Sequence, residues 1–283
     1  MKSTTLLFAL VATFAATLCS SQDFVTVDEN EIHYEIKGSG RPWIVLVTGN
    51  GLDLSSLDPI FDDLSKVTTV LRYSRAGLGK SAFNNKKKEF GARVDELQLL
   101  LAELSVPEPF ILGGHSFGGL ITRAFAGRNP GRVLGLLSID PAFEDNWAVL
   151  EPFDPDIRSR YLTPLEYLLE NRPDSATTHE FASMVAFYDS PEQWRDWLDY
   201  PGHIPHFVIT SQQTTQAVNS PGRGSKGVME ARAEAQYRLI ANSDANMQLR
   251  LPDAGHEVYK DQPQVIVDAF VMLLNLVANS NVE

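Results

Sequence analysis

At 283 residues the chain can hold one large α/β domain with an insertion, and 43% apolar with 21% charged residues excludes a disordered or fibrous protein. Its 24 lysines and arginines against 36 aspartates and glutamates give a net charge of −12. That excludes a generic nucleic-acid binder, because neutralising phosphates needs a basic surface, and a single cysteine excludes both a disulfide framework and a cysteine-based zinc site.

In chain order, Met1-Lys2 is followed by an apolar run from Leu6 to Leu18, interrupted only by Thr13 and Thr17, and then by the small residues Cys19-Ser20-Ser21. A basic start, a short apolar stretch and a small-residue exit predict a signal peptide over residues 1–21, and hence an exported protein, secreted or periplasmic. The run is too short to span a bilayer, so no stable membrane insertion is expected. Cys19 offers a lipid anchor as the alternative, but Leu18 before it is bulkier than bacterial lipoprotein signals use.

Beyond that segment, eight strands are expected, at residues 24–28, 32–36, 43–47, 67–71, 110–112, 133–139, 207–209 and 247–251. The first two alternate about a turn near Glu29-Asn30. The run at 43–47 is continuously apolar, as in a strand buried on both faces. Helical spacing joins Val94, Leu97, Leu100, Leu101 and Leu104, then Leu120, Ile121, Ala124 and Phe125, and finally Val265, Ile266, Ala269, Phe270 and Leu273. Strands alternating with helices predict a mostly parallel eight-stranded sheet covered on both faces. Residues 143–203 break the rhythm with helical patterns of their own, and Ser190-Pro191-Glu192-Gln193 reads as a capped helix start. They are expected to form a helical cap inserted after the sixth strand, over a core made of residues 22–142 and 204–283.

The chemistry gathers where the fifth strand meets the following helix. There Gly114-His115-Ser116-Phe117-Gly118 matches the nucleophile elbow Gly-x-Ser-x-Gly. A serine on so sharp a turn needs small residues two positions to either side, because backbone packs closely around it. Gly79-Lys80-Ser81 ends like a phosphate-binding loop, yet Ser74 stands where that loop requires its first glycine, so no nucleotide site is expected.

With these features in order, the mature chain resembles the α/β-hydrolase family over almost its whole length. Val45-Leu46-Val47-Thr48-Gly49-Asn50-Gly51 looks like the family's oxyanion loop, where His-Gly is commoner than this Thr48-Gly49. The segment from Tyr73 to Ser81 resembles the family's Asp-Arg-x-Gly-x-Gly-x-Ser, with Ser74 at the usual aspartate. Ala254-Gly255-His256 looks like the histidine loop. The resemblance implies a serine hydrolase that needs neither cofactor nor metal and acts on a small-molecule ester. Ser116 would be the nucleophile, His256 the general base, and Phe117 with Asn50 or Gly51 the oxyanion donors. For the acid, the loop after the seventh strand, residues 211–216, carries no carboxylate. Asp140, in Ile139-Asp140-Pro141, is the expected acid, as in members that place it after the sixth strand, and Asp253 is its rival. A serine nucleophile argues against the dehalogenase and epoxide hydrolase branches, which use an aspartate there. Amidase or proline-iminopeptidase activity on the same triad is the enzymatic alternative, and a non-catalytic binding protein on this scaffold the alternative from another class.

Overall fold

The computed structural model describes residues 21–84, 89–198, 204–213 and 225–280. The expected signal segment falls outside the described residues up to Ser20, and so do the basic run 86–88, His203, and 214–216 of the loop after the seventh strand. Strands β1 (Ser21–Val27) and β2 (Asn30–Lys37) form an antiparallel hairpin. Its two turn residues, Asp28 and Glu29, have φ of +47° and +64°, a left-handed pair whose twist suits the flanking strands.

Six more strands follow: β3 (Ile44–Val47), β4 (Val70–Tyr73), β5 (Phe110–His115), β6 (Val133–Ile139), β7 (His206–Ser211) and β8 (Asn246–Leu251). They make one eight-stranded sheet in the order β1-β2-β4-β3-β5-β6-β7-β8. Only β1–β2 and β2–β4 are antiparallel, so the sheet is mostly parallel, as expected. The fourth strand starts three residues later than its pattern predicted. Residues 67–69 are spent in the turn that ends α1 (Asp58–Ser65), where the N–H groups of Val67 and Thr68 both donate to the Leu64 carbonyl.

Parallel neighbours need crossovers, and these cover both faces of the sheet. On one face α2 (Phe90–Glu103) and α3 (Phe117–Arg128) pack Val94, Leu97, Leu120 and Phe125 against Val45, Leu71 and Leu112. Between β6 and β7 the chain forms α4 (Asn146–Leu150), α5 (Ile157–Asn171), α6 (Ala176–Asp189), a 3-10 turn (Pro191–Trp194) and α7 (Arg195–Leu198). Their aromatic residues Trp147, Tyr161 and Tyr188 pack edge to face, Phe181 lies tilted against Tyr161, and through Phe187 and Phe90 they reach Phe117 of the elbow. The capping serine of this region is Ser175, whose hydroxyl accepts from the Thr178 N–H. Ser190 precedes the 3-10 turn and makes no side-chain cap.

After β7 come α8 (Lys226–Arg238), α9 (Val258–Asp261) and α10 (Pro263–Ser280). On the other face of the sheet α1 and α10 pack Ile60, Leu64, Ile266 and Phe270 against Ile44, Val70 and Ile111. No helix of the described residues is long and apolar enough to cross a membrane.

Candidate active site

Strand β5 delivers Ser116 to the carboxyl edge of the sheet, where open α/β folds bind ligands. Its backbone has φ +52° and ψ −118°, a costly conformation for a residue with a side chain. Its N–H donates to the Ile139 carbonyl, while its own carbonyl accepts from the N–H groups of Gly119 and Ala142. Two glycines make this turn possible. A Cβ on Gly114 would lie 2.5 Å from the Gly118 carbonyl oxygen, and one on Gly118 would lie 2.3 Å from that of Val47. The second approach also brings the start of α3 against the end of β3, and so next to the loop that begins at Thr48.

Asp140 follows β6 on the same edge, is fully buried and has a positive φ of +42°. Its carboxylate is surrounded by donors. Oδ1 accepts from the Ser211 N–H at 3.3 Å and from Gln236 Nε2 at 3.1 Å, and Oδ2 from the Ser211 hydroxyl at 2.7 Å. His256 Nδ1 stands 2.6 Å from the same Oδ2, and the Arg232 guanidinium lies 3.9 Å away. Because a carboxylate only accepts, Nδ1 carries the imidazole proton. Nε2 is then the acceptor, and Ser116 Oγ lies 2.9 Å from it. An unbroken Ser116–His256–Asp140 relay results. Asp253, the rival acid, is exposed. Of the nearby acids, Glu144 is held by Arg123 and Asp145 by Arg195.

The histidine loop is held from both sides. The Gly255 N–H donates to Asp261 Oδ2 at 2.7 Å. His115, the variable residue of the elbow, lies buried beneath, with Nε2 2.9 Å from the His256 carbonyl oxygen and its ring against Tyr259.

Of the alternative donors Asn50 and Gly51 in the loop expected to hold an oxyanion, the Gly51 N–H is donated to Glu180 Oε2 at 2.5 Å. Among the described residues no acceptor takes the N–H of Asn50, nor that of Phe117, which as the first residue of α3 has no intrahelical acceptor. The sequence reading also missed Ser211, Gln236, Arg232 and Glu180. Ser211 came nearest to being legible, since it opens the loop that lacks a carboxylate, where it supplies Asp140 with two donors. Among the described residues no three His, Cys, Asp or Glu side chains converge so that they could hold a metal ion.

The model of the alpha/beta hydrolase family matches residues 44–269. The uncharacterized protein YqjL of Bacillus subtilis is 24% identical over 247 residues, which cover 85% of this chain and 87% of that one. Two solved structures share the fold at low identity. A thermophilic esterase from Thermogutta terrifontis has a TM-score of 0.61 at 22% identity, covering 91% of this chain and 99% of its own. A haloalkane dehalogenase variant from Bradyrhizobium elkanii has 0.70 at 14%, covering 92% and 98%. Esterase and dehalogenase fit the fold alike, so the choice of reaction rests on the residues at the elbow.

Proposed function

The chain belongs to the α/β-hydrolase family, and on that premise we propose that it is a serine hydrolase that cleaves carboxylic esters. The observation that carries the reading is the relay of 2.9 Å and 2.6 Å from Ser116 through His256 to Asp140, with the hydroxyl on a strained turn. His256 Nε2 takes the Ser116 proton as Oγ bonds to the acyl carbon, and the carbonyl electrons move onto oxygen. The N–H groups of Asn50 and Phe117 receive that oxyanion. As the intermediate collapses, the C–O bond to the alcohol breaks and His256 returns the proton to it. The acyl group now sits on Ser116. A water then gives its proton to His256 and attacks the acyl carbon, releasing the acid and restoring the hydroxyl. Asp140 holds the Nδ1–H tautomer throughout and stabilises the imidazolium. Helices α4 to α7 serve as the cap, residues 143–203, and residues 1–21 as the export signal. Amino-terminal sequencing of the exported protein tests the latter.

A fluorophosphonate probe, nitrophenyl esters of rising chain length and aminoacyl anilides test the reading together. Labelling at Ser116 and turnover of esters over anilides are expected. Ser116→Ala should leave no more than about 10³-fold catalysis over water, the residue that binding and an oxyanion hole supply alone. Anilide turnover above ester turnover would favour the amidase alternative. Activity of Ser116→Ala within tenfold of the parent would end the serine-hydrolase reading.

A further inference from the structure

The loop that carries Asn50 is held by two charged side chains from outside it. Arg75, fully buried after β4, donates from Nη1 to the Thr48 carbonyl at 2.7 Å and to the Thr48 hydroxyl at 3.0 Å. Its Nη2 donates to the Gly49 carbonyl at 2.5 Å. The same guanidinium makes a two-pronged bond to Glu180, Nε to Oε1 at 2.5 Å and Nη2 to Oε2 at 2.9 Å. Glu180 is 1% exposed and stands on α6, 105 residues away in sequence, and its Oε2 also accepts the Gly51 N–H. A second buried arginine, Arg93, lies 4.0 Å from Glu180 Oε1.

Peptide geometry turns these contacts into an orientation. The Gly49 carbonyl and the Asn50 N–H belong to one planar trans unit, so they point in opposite directions. Arg75 on that carbonyl therefore aims the Asn50 N–H away from itself. The next unit, Asn50–Gly51, is held at its N–H by Glu180, and Gly51 takes the left-handed φ of +69°. Both peptides that flank Asn50 are thus tied to the Arg75–Glu180 pair. The helix that brings Glu180 is itself seated tightly on the neighbouring loops. A Cβ on Gly77 would lie 2.2 Å from that of Ala176, and one on Gly51 would lie 3.3 Å from Thr177 Cγ2.

We propose that Glu180 is a positioning residue for the oxyanion donor: with Arg75 it aims the Asn50 N–H, which makes α6 of the insertion a standing part of the reaction site. The inference rests on the oxyanion role given to Asn50 under the proposed function. It divides the insertion. Any opening of the insertion would then come from elsewhere in α4 to α7, because parting α6 from the loop would separate a fully buried ion pair.

The test uses the full chain with two variants. Glu180→Gln keeps an acceptor oxygen but no charge. The double variant Arg75→Met/Glu180→Leu removes both charges of the pair at once, and Arg93 keeps the Glu96 carboxylate 3.9 Å away. Hydrogen exchange of residues 48–52 reads the loop, and turnover of a neutral nitrophenyl ester per fluorophosphonate-titrated site reads the consequence. Faster exchange is expected in both variants. In the double variant kcat per titrated site should fall by about 10²-fold or more, the cost of losing one oxyanion donor, with KM within about twofold, and Glu180→Gln should fall between it and the parent. A merely structural role would lower the number of titratable sites and leave kcat per site unchanged, and that result overturns the proposal. Unchanged exchange overturns it as well. A parent that neither labels nor hydrolyses, with faster loop exchange in the variants, overturns the proposed function while upholding the hold of Glu180 on the loop.

Discussion

At the scale of single residues, Asp140 is the position whose chemistry is most constrained. Its hydrogen-bond partners among the described residues include four donors: the Ser211 N–H and hydroxyl, Gln236 Nε2 and His256 Nδ1. An asparagine of the same shape would present an NH₂ to one pair of them, and it would favour the wrong imidazole tautomer at His256. Asp140→Asn is therefore expected to lower kcat by at least about 10²-fold, with the protein still folded. Exposed Asp253→Asn should cost less than about tenfold. Steady-state kinetics with circular dichroism on both variants decides, and the reverse ranking would move the acid to Asp253. Asp140 was singled out in the sequence by the family resemblance, through members that place the acid after the sixth strand, here a buried strand ending in Asp-Pro. Its supports were not. Ser211 and Gln236 lie 71 and 96 residues away, and Glu180 is 105 residues from Arg75, separations at which no local spacing reveals a contact. The same distance explains why the choice between Asn50 and Gly51 stayed open in the sequence: the Gly51 N–H is taken by a helix much later in the chain.

At the scale of elements, apolar periodicity located what apolar burial builds. The eight strands and the helices α2, α3 and α10 carry Val, Leu, Ile and Phe on their buried faces, and all were readable. Helix α8 was not, because its buried face is Val228, Met229, Arg232, Ala233, Ala235 and Gln236, a mixture of small and polar side chains without an apolar stripe. That helix supplies two neighbours of Asp140, so the least legible element is one that the site leans on. The seating of the insertion on the core likewise depends on a small residue. Gly127 of α3 comes so close to α7 that a Cβ there would lie 2.0 Å from the Trp197 carbonyl oxygen, a backbone atom that cannot swing aside. Gly127→Ala is expected to push α7 away and to destabilise the protein by about 1–3 kcal/mol, the usual cost of overpacking. A denaturant midpoint unchanged from the parent would show that α7 is not tightly seated there.

At the scale of the whole molecule, stability should fall with acid well before the carboxylates titrate. His206 opens β7, fully enclosed, with Nε2 2.8 Å from the Ser138 hydroxyl. Burial first, and the Arg123 charge second, push its pKa down from 6.5 to about 3, so the ring is neutral in the folded protein. His33 is lowered too, by burial and by Lys80. Once unfolded, both rings take up protons as the pH drops below about 6.5, so the unfolded state binds more protons and stability falls with pH. For His206 the loss approaches about 1.4 kcal/mol per pH unit midway between 6.5 and about 3, and tapers once the folded-state ring itself takes up a proton. Glu180 and Glu144 act later. Burial opposes their ionisation, but Arg75 and Arg123 hold both below the usual glutamate value of 4.5, and the stability they contribute is lost only as the pH falls below that value. Guanidinium midpoints measured between pH 7 and pH 5 therefore isolate the histidines. The midpoint should decrease over that range, and His206→Gln, which can still bond Ser138 but cannot titrate, should decrease less steeply than the parent. Equal slopes for the two proteins would place the acid sensitivity elsewhere. A flatter slope for the variant would place it at the start of β7, inside the sheet, so that loss of activity near pH 5 could be separated from protonation at the Ser116–His256 pair by measuring folded fraction and turnover on the same samples.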